Sequence, residues 1–424
     1  MNKFVIEGGE RLRGIVKISG SKNAVLPLLA ATILQKGVYN IKNVPHLRDV
    51  ETMLRLINLL GSNAKWSGDD MLTIDTCGIN NHVAPYELVK EMRASVLVLG
   101  ALIGGLRKAT VSYPGGCAIG ERPINLHLKG LSDLNCNVKV KKGYVDVTAK
   151  KLKGSVIHFD TTTVGGTENI LMAAVKAKGE TIIENAACEP EVVDLARMLK
   201  KMGAKIEGEG TEIIKIKGVE ELEPCDYTVI PDRIETGTFL VACGITRGNI
   251  VIERCNPMHI RPVIEKLKEA GMDIVEENSL IKASMSRKQP AAIDIKTAPY
   301  PGFPTDMQAQ FMAFMGISKG VSAITETIFE NRMMHAAELR RMGADIKVIG
   351  NTAIVKGVKM FSGAKVMASD LRASASLVLA GLASYGITEV SRIYHIDRGY
   401  ESIEEKLKQL GAKIERRKDE DLES

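Results

Sequence analysis

Four segments of the chain set cationic, acidic or thiol side chains beside turn-forming residues. The first, Ser19-Gly20-Ser21-Lys22-Asn23, leads from an extended stretch into an apolar helix. A serine-rich turn entering a helix presents unpaired backbone N–H groups at the positive end of the helix dipole, and Lys22 adds a full charge, so a phosphate can be held there. An ordinary helix cap with a solvated lysine would read the same way. The second, Pro114-Gly115-Gly116-Cys117-Ala118-Ile119-Gly120-Glu121-Arg122-Pro123, places a thiol in a glycine-rich loop five residues before an arginine. A neighbouring cation favours the thiolate, which makes Cys117 a candidate nucleophile or acid, although a lone loop cysteine is also compatible with an inert one. The third, Pro299 to Gln308, is a proline-rich turn that brings Thr305 and Asp306 to the start of a helix, where an Asp ordinarily serves as a cap. The fourth is a set of arginines, Arg332, Arg372 and Arg398, each at a strand-to-helix junction beside its own acidic neighbour. They form either three local salt bridges or a cluster for anions.

These residues have to be positioned by a chain of 424 residues, long enough for two or three cores. A recurring helix ending organises it. Leu59-Leu60-Gly61-Ser62-Asn63-Ala64 is echoed at Lys201-Met202-Gly203-Ala204, Glu269-Ala270-Gly271-Met272, Arg341-Met342-Gly343-Ala344 and Gln409-Leu410-Gly411-Ala412, with a degenerate copy at Asp133-Leu134-Asn135-Cys136. A helix that stops at glycine, or at the asparagine that also tolerates the left-handed region, turns straight into a strand. The spacing exceeds that of solenoid repeats of about 20–50 residues, so six small α/β units in two groups of three are expected, with a boundary near Pro231. Early examples are a strand over Gly14–Ile18, a helix over Asn23–Gln35 and a strand over Tyr39–Val44, and Ser95–Leu106 reads as a buried helix interrupted by glycines.

Composition narrows the function. A formal net charge of +6 without long Lys/Arg runs argues against nucleic-acid or membrane partners and fits collection of small anions. Seven cysteines at irregular spacing, with no CxxC pair, point away from a zinc site or disulfide framework and toward a reducing, cytoplasmic setting. Residues 1–19 lack the apolar run of a secretion signal. His335 and His395 read as structural hydrogen-bonders, and no metal-ligand spacing involves them.

Taken in order, Ser21-Lys22-Asn23-Ala24, Met92-Arg93-Ala94-Ser95, the Pro-Gly-Gly-Cys loop through Arg122-Pro123, Pro231-Asp232-Arg233-Ile234-Glu235-Thr236-Gly237, Gly302 to Gln310, Thr325 to Arg332, Asp370-Leu371-Arg372-Ala373 and His395 to Tyr400 are specific as a set. The whole chain resembles the UDP-N-acetylglucosamine 1-carboxyvinyltransferases. The resemblance implies an α/β fold of two domains, each of three repeated units with helices inside and sheets outside. It puts residues 22–230, with a mobile cysteine loop over 114–123, in one domain, residues 1–21 and 231–424 in the other, and the active site in the cleft between them. It also implies transfer of the enolpyruvyl group of phosphoenolpyruvate to the 3′-hydroxyl of UDP-N-acetylglucosamine, with loss of phosphate, through a tetrahedral intermediate. This is the first committed step of peptidoglycan synthesis, on which cell shape and division depend.

The same resemblance assigns roles. Cys117 would protonate C-3 of phosphoenolpyruvate and be the thiol that fosfomycin alkylates, and Asp306 would take the sugar proton. Lys22, Asn23, Arg122, Arg332, Arg372 and Arg398 would hold phosphoenolpyruvate. Asn23, Arg93, Arg122, Pro123, Ile124, Asn125, Leu126, Thr163, Val164, Gly165, Asp306 and Ile328 would line the UDP-sugar site. No cofactor or metal is expected, and the chain should be a monomer or weak oligomer. Asn125 stands where the family commonly has Asp, and Thr161 where many members have Lys, so nucleotide binding is where this chain departs from the family. The alternatives are an enzyme like enolpyruvyl shikimate phosphate synthase, disfavoured by the loop cysteine and the Thr325–Arg332 segment, and a catalytically weak nucleotide-sugar-binding regulator.

Overall fold

The computed structural model describes residues 2–114 and 123–418. They divide into two compact units, one of residues 20–114 and 123–230, the other of residues 2–19 and 231–418. Each unit has its own apolar core, running from Ala24 to Val229 in the first and from Phe4 to Ile414 in the second. The first two strands, Asn2–Glu7 and Arg13–Lys17, belong to sheets of the second unit.

Among the described residues there are six four-stranded sheets, three per unit, and one two-stranded pairing. All six share one plan. A short edge strand runs parallel to a central strand, which pairs antiparallel with one strand of an antiparallel pair, as in Val156–His158 beside Glu180–Glu184 beside Ile213–Lys217 beside Lys205–Glu207; the pair is a hairpin in five sheets and joins Asn2–Glu7 to Lys413–Lys418 in the sixth. Alternation along Ile213–Lys217 exposes every second residue, so one face of the sheet meets solvent and the other meets the core.

Each sheet is served by two helices of different character. The inner one is mostly apolar and buried on every side: every residue of Arg233–Ile245 and of Gln308–Met315 is buried, as are 11 of the 12 residues of Leu371–Leu382. Lys22–Ala31, Val98–Leu106 and Val164–Ala174 fill the same place in the first unit. The glycines of Ser95–Leu106 are there for contact. The Gly100 N–H donates to Asn169 Oδ1 at 2.6 Å, and a Cβ at Gly100 would lie 2.1 Å from the Asn169 carbonyl oxygen. The start of that stretch, Arg93–Leu97, is a 3₁₀ segment and not the α-helix expected.

The outer helices, such as Arg48–Leu59 and Pro190–Lys201, are amphipathic and carry the repeated ending. Gly61, Gly203, Gly271, Gly343 and Gly411 take φ of +110°, +102°, +101°, +88° and +95°, and Asn135 takes +69°. The six endings thus share one left-handed turn, from which the chain enters the outer strand of the antiparallel pair.

Candidate functional site

Many of the predicted residues lie at or just before the amino ends of inner helices. Ser21 caps Lys22–Ala31, with its Oγ accepting the Ala24 N–H at 3.4 Å, and Lys22 and Asn23 follow at once. Thr163 caps Val164–Ala174 by accepting the Gly166 N–H at 3.2 Å. Asp370 caps Leu371–Leu382, accepting the Arg372 and Ala373 N–H groups at 2.9 and 3.0 Å. Arg93 opens the 3₁₀ segment before Val98–Leu106, and Asp306 lies in the 3₁₀ turn before Gln308–Met315. The positive dipole end of the inner helices favours anions at these places.

In the second unit Arg332 and Arg372 pair with a residue far from both in sequence. Arg332 Nη2 and Arg372 Nη2 converge on the two oxygens of Asp306, at 2.7 Å from Oδ1 and 2.8 Å from Oδ2. Asp370 is occupied as a cap, and Asp397, beside Arg398, accepts from both terminal nitrogens of Arg416 at 2.9 and 2.7 Å. Asp306 is not the helix cap: Met307 holds that position before Gln308–Met315 and Pro304 holds it before the 3₁₀ turn, neither with a side-chain bond. Burial alone would raise its pKa, but Arg372 and then Arg332 outweigh that and hold the carboxyl well below the usual carboxylate range. Arg332 and Arg372 are buried, and Arg332 Nε and Arg372 Nη1 make no hydrogen bond among the described residues. Two guanidinium groups with spare buried donors can bind a carboxylate or phosphate bidentately.

Sequence reasoning left Glu326 without a role. It is buried, and it accepts from Thr297 Oγ1 at 3.0 Å, Thr305 Oγ1 at 2.8 Å, the Ile328 N–H at 2.8 Å and the Phe329 N–H at 3.2 Å. Thr305 Oγ1 accepts in turn from Arg332 Nη1 at 2.6 Å, so Glu326 orients the threonine that orients the arginine. An acid inside a Thr-Glu-Thr run gave no sign of this, since its side-chain partners lie more than 20 residues away. Ile328, by contrast, is partly exposed beside this network. Arg398 closes the Ile393–Arg398 turn and is half-buried.

His335, at the start of the His335–Arg341 helix, is buried beside this cluster. Burial depresses its pKa to about 4, with Arg332 adding to the effect and Asp370 opposing it. Between the ordinary histidine range and that value the unfolded chain binds a proton that the folded chain refuses. Stability therefore falls as pH drops through that window, by up to about 3 kcal/mol at about 1.36 kcal/mol per unit. Denaturant unfolding at pH 7 and pH 4.5 checks this: His335→Gln should lose less stability between the two than the parent, and equal losses would remove the assignment.

In the first unit Lys22 is mostly buried, with 15% of its side chain exposed, and its Nζ lies 3.0 Å from Asp49 Oδ2 at the start of Arg48–Leu59. Asp49 also went unrecognised, because an acid in a first turn looks like ordinary dipole compensation. Some of the residues expected at the nucleotide end flank His127. Pro123 and Asn125 are exposed, Ile124 is buried, and Leu126 is half-buried at the start of Asn125–Asp133. Thr163 and Gly165 are half-buried, Val164 and Thr161 are exposed, and Arg93 and Asn23 are half-buried. A Cβ at Gly165 would come within 3.2 Å of His127 Cε1, so the two helix starts are neighbours. Asn169 Oδ1 takes the Gly100 N–H, which leaves its Nδ2 to donate to His127 Nδ1 at 2.8 Å and fixes the imidazole proton on Nε2.

Cys117 and Arg122, with the rest of 115–122, lie outside the described residues. The other six cysteines are described, and only Cys243 lies in a helix or strand. Turns hold the rest, and it is environment that makes all six poor thiolates. Burial raises Cys243 to about 12 and Cys136 and Cys255 to about 11, and it is the main cause of the rise at Cys188 and Cys225. A hydrogen bond to Asp75 raises the exposed Cys77. No group of His, Cys, Asp and Glu among the described residues could hold a metal ion, and no described helix is long and apolar enough to cross a membrane.

Comparison with known proteins places this geometry. The family described as EPSP synthase (3-phosphoshikimate 1-carboxyvinyltransferase) matches residues 6–407. The UDP-N-acetylglucosamine 1-carboxyvinyltransferase of Geobacter metallireducens is 56% identical over 419 residues, covering 99% of this chain and 100% of that protein. The protein of the same name from Myxococcus xanthus is 54% identical over 99% of this chain and 100% of its own length. Among solved structures, the enolpyruvyl transferase NikO from Streptomyces tendae superposes with a TM-score of 0.89 at 27% identity, covering 98% of this chain and 99% of its own. EPSP synthase from Acinetobacter baumannii, with a TM-score of 0.76 at 20% identity over 99% and 100% of the two chains, shares the fold. With full-length identity above half and the same two-unit architecture, the chain belongs to the UDP-N-acetylglucosamine 1-carboxyvinyltransferase family of enolpyruvyl transferases.

Proposed function

We propose that this chain transfers the enolpyruvyl group of phosphoenolpyruvate to the 3′-hydroxyl of UDP-N-acetylglucosamine and releases phosphate, the first committed step of peptidoglycan synthesis. The observation that carries the chemistry is the Asp306 carboxylate gripped by Arg332 and Arg372. A carboxylate so clamped is a weak base. Phosphoenolpyruvate supplies the remedy, because its own carboxylate competes for the two guanidinium groups and adds a negative charge beside Asp306. Both effects lift the Asp306 pKa toward the range where it can take the sugar proton. The base is thus switched on by the second substrate.

The remaining roles follow from charge and position. Lys22, held by Asp49 at the start of an inner helix, binds the phosphate with Arg122 and Arg398, and Asn23 orients both substrates. Cys117 delivers the proton to C-3. Arg93, the Pro123–Leu126 turn, Thr163, Val164, Gly165 and Ile328 line the UDP-sugar site, in which the Nε2–H of His127 faces the Thr163–Gly165 turn. The protein works in the cytoplasm, where both substrates are made.

Incubation with the two substrates tests the proposal. Mass spectrometry should find the nucleotide sugar heavier by one enolpyruvyl group, and an unchanged nucleotide sugar would contradict it. Asn125 offers a second check. It is exposed at the first position of Asn125–Asp133, where an Asp would be stabilised as the anion. A hydrogen bond to a charged group is worth about 1.5–3 kcal/mol, against roughly 0.5–1.5 for a neutral one. Asn125→Asp should therefore tighten UDP-N-acetylglucosamine binding by about tenfold with little change in kcat. Unchanged or weaker binding in a titration would show that this residue does not meet the uracil.

A further inference from the structure

The six sheets provide an internal comparison that isolates one unusual corner. In the sheet of Arg13–Lys17, Asn249–Glu253 and Leu280–Ser284, the register sets Arg13 opposite Asn249 and Asn249 opposite Ser284, so the three side chains leave the same face in a row. Counting back along the register of the other five sheets, the residue in Arg13's place is Pro224, Asn81, Gly154, Ala292 or Gly363. None is charged, so the fold does not require a cation there. Here Arg13 is joined by Arg11 and by Arg247, which the left-handed turn after Arg233–Ile245 (φ 54°) brings to the same corner.

The three arginines line a surface cavity of about 320 Å³ together with Asn249, Ser284 and Ser286, floored by Gly248 and Met285. All three are exposed, and no acidic residue shares the lining. Among the described residues none of the three guanidinium groups takes part in an ion pair or side-chain hydrogen bond. The nearby acid Glu10 is drawn instead to Lys413 at 3.1 Å. The neighbouring backbone donors are already used, the Arg13 N–H on the Leu410 carbonyl at 2.8 Å and the Asn249 N–H on the Leu12 carbonyl at 2.9 Å. Recognition there would fall to side chains, which are three forked cations, an amide and two hydroxyls.

We propose that this corner is a second anion site, apart from the residues assigned to transfer, and that it takes a small molecule bearing two phosphoryl groups. One phosphoryl group can satisfy one or two guanidinium forks, whereas three forks around a space of this size suit a diphosphate. The site rests only on residues of the second unit and does not depend on the proposed reaction.

Calorimetric titration of the full chain with inorganic pyrophosphate near physiological salt tests it. Saturable binding is expected, weakened at least about tenfold in Arg13→Ser/Arg247→Ser, a loss matching one or more charge-assisted hydrogen bonds. Arg13→Lys/Arg247→Lys, which keeps the charge but not the fork, should fall between the two. The double serine variant should keep the parent's melting temperature and its kcat and KM for both substrates. Three results would each overturn the proposal: no pyrophosphate binding by the parent, equal affinity in the double serine variant, or orthophosphate binding as tightly as pyrophosphate.

Discussion

Treatment with fosfomycin is expected to give one dominant adduct, at Cys117. The six described cysteines explain the selectivity as much as Cys117 does. A thiol raised to about 11, as at Cys136 and Cys255, is ionised to only about one part in a thousand at pH 8, and Cys243 is lower still. Cys117 sits in a glycine-rich segment five residues before Arg122, where a cation favours the thiolate. UDP-N-acetylglucosamine should speed the reaction. Cys117→Asp should resist the drug and keep measurable turnover, because a carboxylic acid can also protonate C-3. Cys117→Ser should be much slower, since a hydroxyl is a far poorer acid. Peptide mass spectrometry reads the outcome, and labelling spread over several cysteines, or absent from Cys117, would take away its role.

Asp306→Asn should lower kcat by about 10²- to 10⁴-fold, the usual contribution of a positioned base. It keeps the shape of the side chain but removes the charge that Arg332 and Arg372 share. Removing one partner of a buried pair costs about 3–5 kcal/mol, and the low end is expected here because 24% of the Asp306 side chain is exposed. Saturating phosphoenolpyruvate should recover part of that stability, because its carboxylate replaces the lost anion. The pH profile separates a base from a mere anchor. If phosphoenolpyruvate frees Asp306, the acid limb of kcat should lie within or above the ordinary carboxylate range, although the ligand-free carboxyl is held well below it. A kcat within tenfold of the parent for Asp306→Asn would show that another group takes the sugar proton.

The architecture was legible because its signal is local and repeated. Each of the six helix endings needs one residue that accepts positive φ, and glycine or asparagine appears at every one. The mostly apolar inner helices announced their burial in the same way. The site was legible as a list of residues and not as a set of contacts. Arg372 beside Asp370 looked like a local pair, yet the Asp370 oxygens are spent on the helix start and the guanidinium reaches Asp306, 66 residues away. Nothing in one strand or turn encodes such a pairing, which arises when inner helices from different repeats bring their amino ends together. For the same reason Asp49 and Glu326 escaped notice, since each looks ordinary in its own segment and gains its role from a partner in another. Cysteine reactivity also depended on burial, which the spacing of the cysteines does not reveal.

Release of inorganic phosphate from phosphoenolpyruvate, measured in parallel with UDP-N-acetylglucosamine and with shikimate 3-phosphate as acceptors, tests the central assignment most directly. Phosphate should appear in step with consumption of the nucleotide sugar and remain at background with shikimate 3-phosphate. Release with shikimate 3-phosphate, or with neither acceptor, would contradict the assignment.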